Sequence, residues 1–239
     1  MNFDYKKHIL CALTAGSHLY GTSTPESDED IRGVLMPPAE YWLGMESFEQ
    51  YEPEGEDTVY HELRKFLRLS AAGNPMFLEM WFSPPSIKED WNLFWWVSLK
   101  ADLWHAVLSK KLIKPHLGMA QAHLARIEHP GKKAGFKGLV AIEKYGYNTK
   151  DASHVLRVLY QALELLETGK LIFPRPEAPF LSEIRTGKHT LEAIRSTEAY
   201  LSAAVKAECE RSSLRETPDF AAVNRWLVNH VPFMLEDFA

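Results

Sequence analysis

Cysteine is nearly absent: Cys11 and Cys209 are the only two, and they stand far apart in the 239-residue chain. Two distant thiols argue against a disulfide framework and a cysteine zinc site, and they fit a reducing cytoplasm. No apolar run approaches the ~18 residues that span a bilayer. The most apolar region, Trp91 to Leu108, is broken by Lys100, Asp102 and His105, so it reads as a helix of a water-soluble protein and no membrane partner is expected. The start of the chain, Met1 to Lys7, is polar and charged and lacks the apolar core of a signal peptide. Positive charge is not in excess either, since the formal net charge is -5. Global charge therefore does not attract nucleic acid, and any polyanion site must come from a local cluster. Internal repeats and low-complexity segments are missing as well.

What is present suits a globular protein of one large or two small domains, with hydrophobic content of 46% and charged content of 25%. The apolar run His8 to Thr14 ends at Ala15-Gly16 and predicts a buried strand, although periodicity alone does not separate it from a short helix. Thr22 to Ser27 reads as a loop, and a second strand is predicted from Asp28 until Pro37-Pro38, where ladder donors are lost. Glu49 to Asp57 is an acidic connection, Asp57 to His61 a third strand, and Glu62 to Ala72 an amphipathic helix stopped by Gly73-Asn74-Pro75. Pro84-Pro85 marks a candidate boundary between residues 1–85 and 86–239.

Helices are predicted over Trp91 to Ser109, Pro115 to Arg126 and Leu191 to Ser212, with Trp91, Phe94, Trp95, Trp96 and Trp104 expected in the core. The apolar tail after Thr217 is expected to dock on the body or on a second subunit. His129 to Gly138 is a Gly/Pro loop carrying Lys132, Lys133 and Lys137 beside Phe136, either a polynucleotide contact or a solvated lysine run.

Two stretches carry chemistry. In the first, Gly16-Ser17 precedes Asp28-Glu29-Asp30. On a strand, Asp28 and Asp30 point to one face. Mg²⁺, or Mn²⁺ in its place, takes one or two carboxylates together with substrate phosphate oxygens. A glycine turn can bring backbone N–H groups and the Ser17 hydroxyl close to those phosphates. Two-metal phosphoryl transfer commonly uses a third carboxylate; Asp57 is the candidate, with Glu62 and Glu79 as rivals whose structural alternatives are capping and a helix dipole. In the second stretch, Lys150, His154 and Arg157 stand at i, i+4 and i+7, one face of a helix that Thr149 or Asn148 can cap. Such a stripe suits a triphosphate, and equally describes a solvated helix face.

Gly16-Ser17 followed by Asp28-x-Asp30 resembles the signature of the DNA polymerase beta nucleotidyltransferase superfamily. The fuller string GSHLYGTSTPESDEDIRGV is closer to its RNA-ligase-associated branch. The L-R-K-F helix followed by N-P-x-x-L-E, K-x-x-x-H-x-x-R, E-L-L-x-T-G, Pro174-Arg175-Pro176 and L-x-x-I-R-x-G extend the resemblance from residue 8 to about residue 195. It implies an α+β fold: a small mixed sheet with flanking helices, then a helical C-terminal half. It further implies an enzyme transferring a nucleotide from an NTP to an acceptor hydroxyl, with an RNA 3′ end as the acceptor of the branch. Asp28, Asp30 and Asp57 would bind metal; Gly16, Ser17, Lys150, His154 and Arg157 would bind the nucleotide. Modification of a protein or small molecule, and non-enzymatic nucleotide or RNA binding, stand as alternatives. Where many relatives carry a second basic residue after the lysine, this chain has Asp151.

Overall fold

The structure, a computed structural model, describes residues 3–86, 93–129 and 135–238. Trp91, Lys132 and Lys133 lie outside the described residues, as does the side chain of Lys137. The strands are β1 (Ile9–Thr14), β2 (Ile31–Leu35), β3 (Gln50–Tyr51) and β4 (Thr58–Glu62), in the spatial order β1-β2-β4-β3. β2 runs antiparallel to β1 and parallel to β4, and β3 pairs antiparallel with β4, so the sheet is mixed. Beyond β1 the chain at Pro84 to Ser86 runs along the free edge, with Thr14 N–H donating to Pro84 O at 3.1 Å and Ser86 N–H to Ala12 O at 2.9 Å.

Both faces of β1 are covered, which explains its unbroken apolar sequence. Leu10, Cys11 and Leu13 join the larger core, while Ile9 and Ala12 pack with Leu35 and Tyr60 on the other face. α1 (Gly16–Tyr20) follows β1 directly, and α2 (Ala39–Trp42) follows β2. The strand expected over Asp57 to His61 is β4 and starts at Thr58, while β3 falls in the stretch expected to be an acidic connection; Glu62 acts as the N-cap of α3 (Leu63–Ala71), accepting from Lys65 N at 2.9 Å. Asn74 caps α4 (Pro75–Met80), with Pro75 in the first turn where its missing donor costs nothing.

α5 (Leu93–Val107) buries Trp95, Trp96 and Trp104 as expected, but Phe94 is exposed. After α6 (Ile113–Glu128) comes α7 (Phe136–Tyr145), a helix where the sequence suggests a loop as far as Gly138. α8 (Thr149–Thr168), α9 (Ala178–Arg185), α10 (Leu191–Arg211) and α11 (Phe220–Asp237) complete the chain. The tail docks on the body: Trp226 Nε1 donates to Asp102 at 2.9 Å, and Trp95 Nε1 to Asp237 at 2.8 Å, locking α11 onto α5. The fold is thus α+β. No helix among the described residues is long and apolar enough to cross a membrane.

α8 joins the two large cores. Its Ala152, Val155, Leu156 and Leu159 pack with α6, α9 and α10, whereas Ala162, Leu165 and Leu166 enter the core that also holds the sheet, α3 and α5. At 1.5 Å per residue its 20 residues span about 30 Å. That reach carries the start of α8 to the open end of the sheet.

Candidate active site

β1 and β2 stay paired one step past the ladder, because Ala15 N–H donates to Asp30 O at 2.9 Å. Asp28 and Asp30 lie before β2, which begins at Ile31, so the strand expected from Asp28 is three residues shorter at its start. The carboxylates nevertheless face one cavity. Gly16 has φ +60°, and a Cβ built there would stand 1.8 Å from Asp30 Oδ2. Only glycine allows that backbone conformation and the contact together. The loop between is folded on itself: Thr24 N–H donates to Ser27 Oγ at 2.8 Å, and Ser27 N–H to Thr24 O at 2.9 Å.

The rivals for the third carboxylate separate by environment. Asp57 is exposed at the same end of the sheet, where its carbonyl accepts from Ile31 N–H at 3.0 Å, but its side chain does not line the cavity. No three His, Cys, Asp or Glu side chains among the described residues gather closely enough to hold a metal ion. Glu62 is buried, caps α3 and pairs with Arg64 at 3.0 Å. Glu79 sits near the C-terminal end of α4, not its N-terminus, so the helix dipole does not explain it. Its Oε2 accepts from the Tyr20 hydroxyl at 2.7 Å and its Oε1 pairs with Arg157.

The α8 stripe sinks with distance along the helix. Asn148 caps it, accepting from Lys150 N at 3.1 Å and Asp151 N at 3.2 Å. Lys150 is exposed, His154 half-buried and Arg157 buried. The Arg157 guanidinium lies 4.0 Å over the Tyr20 ring and donates to Gln161 Oε1 at 3.0 Å as well as to Glu79. Burial opposes the charge of Arg157, but Tyr20 and Glu79 outweigh it and hold its pKa above the usual value. Burial, then Arg157, His123 and Lys150, push the pKa of His154 well below the ordinary value, so the imidazole is neutral near pH 7. Asp151 is itself paired. It turns to α6, accepting from His123 Nδ1 at 2.6 Å and Arg126 Nε at 3.1 Å; burial raises its pKa, and those two bonds together pull it below the carboxylate range.

Lys150, His154 and Arg157 line the same cavity of about 970 Å³ as Gly16, Ser17, Asp28 and Asp30. Carboxylates stand on the sheet side and cations on the α8 side. Arg185 is a further lining cation; its Nη1 donates to Thr22 O at 3.0 Å and so ties α9 to the loop before Asp28. It sits within the L-x-x-I-R-x-G pattern, and that pattern was its only signal. Phe136, which the sequence sets beside the lysine run, joins Val140 and Tyr145 of α7 in an apolar wall, and no motif marked the latter two. Asp28 and Asp30 are hard oxygen donors in no ion pair among the described residues, a set that fits Mg²⁺ completed by substrate oxygens.

A small mixed sheet thus carries two carboxylates at its open end, opposed across one cavity by a helical half bearing cations. Residues 2–229 match the family described as RlaP, the RNA repair pathway DNA polymerase beta family, and the chain belongs to that family. It is similar to an uncharacterized 38.9 kDa protein of the nrdC-mobD intergenic region of Enterobacteria phage T4, with 22% identity over 278 aligned residues covering 75% of this chain and 83% of that protein. It is also similar to the uncharacterized protein YcgL of Bacillus subtilis (strain 168), 33% identical over 87 residues, which is 34% of this chain and 32% of YcgL. No solved structure matches the chain.

Proposed function

We propose that this protein is a Mg²⁺-dependent nucleotidyltransferase that moves a nucleoside monophosphate from an NTP to the 3′ hydroxyl of an RNA. The observation that carries the reading is the opposition, across one cavity, of Asp28 and Asp30 to Lys150 and Arg185. Residues 1–85 contribute the carboxylates and residues 86–239 the cations. Asp28 and Asp30 would hold the metal, with Asp57, which directly precedes β4, as the third carboxylate of the reading; the metal would neutralise phosphate charge and help activate the acceptor hydroxyl.

The chain's own groups do the rest. Gly16 leaves room for the Asp30 carboxylate and for backbone N–H groups at the phosphates. Lys150 supplies an exposed point charge and Arg185, held by Thr22, a preset planar fork, while Arg157, engaged with Glu79 and Gln161, keeps the positive wall in place behind them. Donors fixed in advance stabilise developing charge without reorganising during the reaction. Neutral His154 donates a hydrogen bond without adding charge. Support for RNA as the acceptor comes from the family's description.

The test is incubation with each α-³²P-labelled NTP and Mg²⁺, with and without an RNA pool, followed by separation of RNA from protein. Label in RNA 3′ ends is expected. Label in a polypeptide or small molecule would replace the acceptor, and NTP binding without label anywhere would replace the reaction.

A further inference from the structure

A second cavity of about 290 Å³ lies on the other side of Asp30. Successive alternate residues mark the passage between the two: Asp28 lines only the large cavity, Asp30 lines both, and Arg32 lines only the small one. Gly16, Tyr20, His154 and Arg157 also belong to both walls, so Asp30 and Gly16 stand at a junction rather than at a dead end. Phosphoryl transfer requires the attacking and leaving oxygens to be roughly in line through phosphorus. With the triphosphate drawn into the large cavity by Lys150 and Arg185, the attacking hydroxyl has to arrive from the opposite side of Asp30.

The chemistry of the small cavity is that of a binding site. Arg32 is half-buried and donates to the carbonyl of Ile31 at 2.9 Å, with no carboxylate partner among the described residues. Met76, Met80 and Met119, from α4 and α6, form a polarizable apolar surface that adapts to a flat ring. His123 presents the edge of its ring away from Asp151, because ionised Asp151 only accepts and so holds the Nδ1 side. Glu79, the other carboxylate here, is already paired with Arg157.

Resting on the nucleotidyltransferase reading, we propose that this small cavity is the acceptor subsite and takes one ribonucleotide unit: the terminal residue of an RNA, its base on the methionines and its phosphate on Arg32. In the transfer its ribose oxygen forms a bond to the α-phosphorus, the bond from that phosphorus to the bridging oxygen breaks, pyrophosphate leaves on the large-cavity side, and the hydroxyl proton passes to solvent.

The test uses the full chain with Mg²⁺ and saturating α,β-methylene-ATP, titrated with a short labelled oligoadenylate bearing a free 3′ hydroxyl. Arg32→Ala and Met119→Trp are each expected to weaken oligoadenylate binding about tenfold, with the affinity for α,β-methylene-ATP unchanged. The two changes lie on different elements, so one decides if the other fails to fold. Unaltered oligoadenylate affinity in a folded variant, equal loss of both ligands, or no oligoadenylate binding by the wild type would overturn the subsite. Binding of both probes without label transfer from α-³²P NTP would leave the subsite standing and sink the nucleotidyltransferase reading instead.

Discussion

Asp28 and Asp30 stand in a loop, in no ion pair among the described residues, with the Asp30 carbonyl held by Ala15 N–H just past β1. Arg157, on the opposite wall, is buried and engaged with Glu79, Gln161 and Tyr20. The sheet side positions its charges through the main chain and leaves the side chains free; the helix side uses one of its charges as structure. Three residues on one helix face share a direction but not a depth, and depth decides which of them is free to meet a ligand. Lys150 is the free one, Arg157 the anchored one, and His154 lies between.

The largest expected effect is acid destabilisation, which draws on buried histidines of both the sheet side and the helix side. Burial, then Lys65 and Arg32, hold His61 near pKa 4; burial, against its bond to Leu112 and with Arg157, holds His116 near 4; His154 is also depressed. The unfolded chain takes up those protons at about pH 6.5 and the folded chain does not. Stability is therefore complete above about pH 6.5 and lost as pH falls toward 4, on the order of 1.4 kcal/mol per pH unit for each buried histidine. A Tm that stays flat over that range would contradict the burial. Next is Glu79→Ala, which leaves Arg157 buried and unpaired at about 3–5 kcal/mol in urea denaturation. A loss under about 1 kcal/mol would place the pair among exposed ones.

Gly16→Ala acts on the other wall. A left-handed non-glycine residue costs roughly 1–2 kcal/mol, and the new methyl displaces the Asp30 carboxylate, so label transfer should fall far more than Tm. The smallest effect is Lys150→Ala: Tm unchanged, with KM for NTP rising about tenfold, the equivalent of one lost charge contact.

Local pattern revealed β1, β2 and β4 but not β3, which lies in the stretch read as an acidic connection; it also revealed α3, the Gly73-Asn74-Pro75 break, the Asn148 cap and the direction of the α8 stripe, because each is set by residues close in sequence. It did not reveal that β2 begins after Asp30, since alternation extends as readily over a flanking loop as over a ladder. It missed α7, whose start lies beside a Gly/Pro-rich segment. Glu79 with Arg157, His123 with Asp151, and Arg185 with Thr22 are contacts between distant elements, and no spacing encodes them. The resemblance to the family supplied what spacing could not, the joining of residues 16–30 to residues 150–157 in one site.

The most direct measurement compares Asp28→Ala and Asp30→Ala with the wild type for transfer of label from α-³²P NTP to RNA, with Tm recorded for each. Transfer is expected to fall by at least about 10²–10³-fold, the loss typical of removing one stabilising group from a transition state, while Tm holds because neither carboxylate is in an ion pair among the described residues. Transfer at the wild-type rate from folded variants would contradict the assignment of these carboxylates to the chemistry.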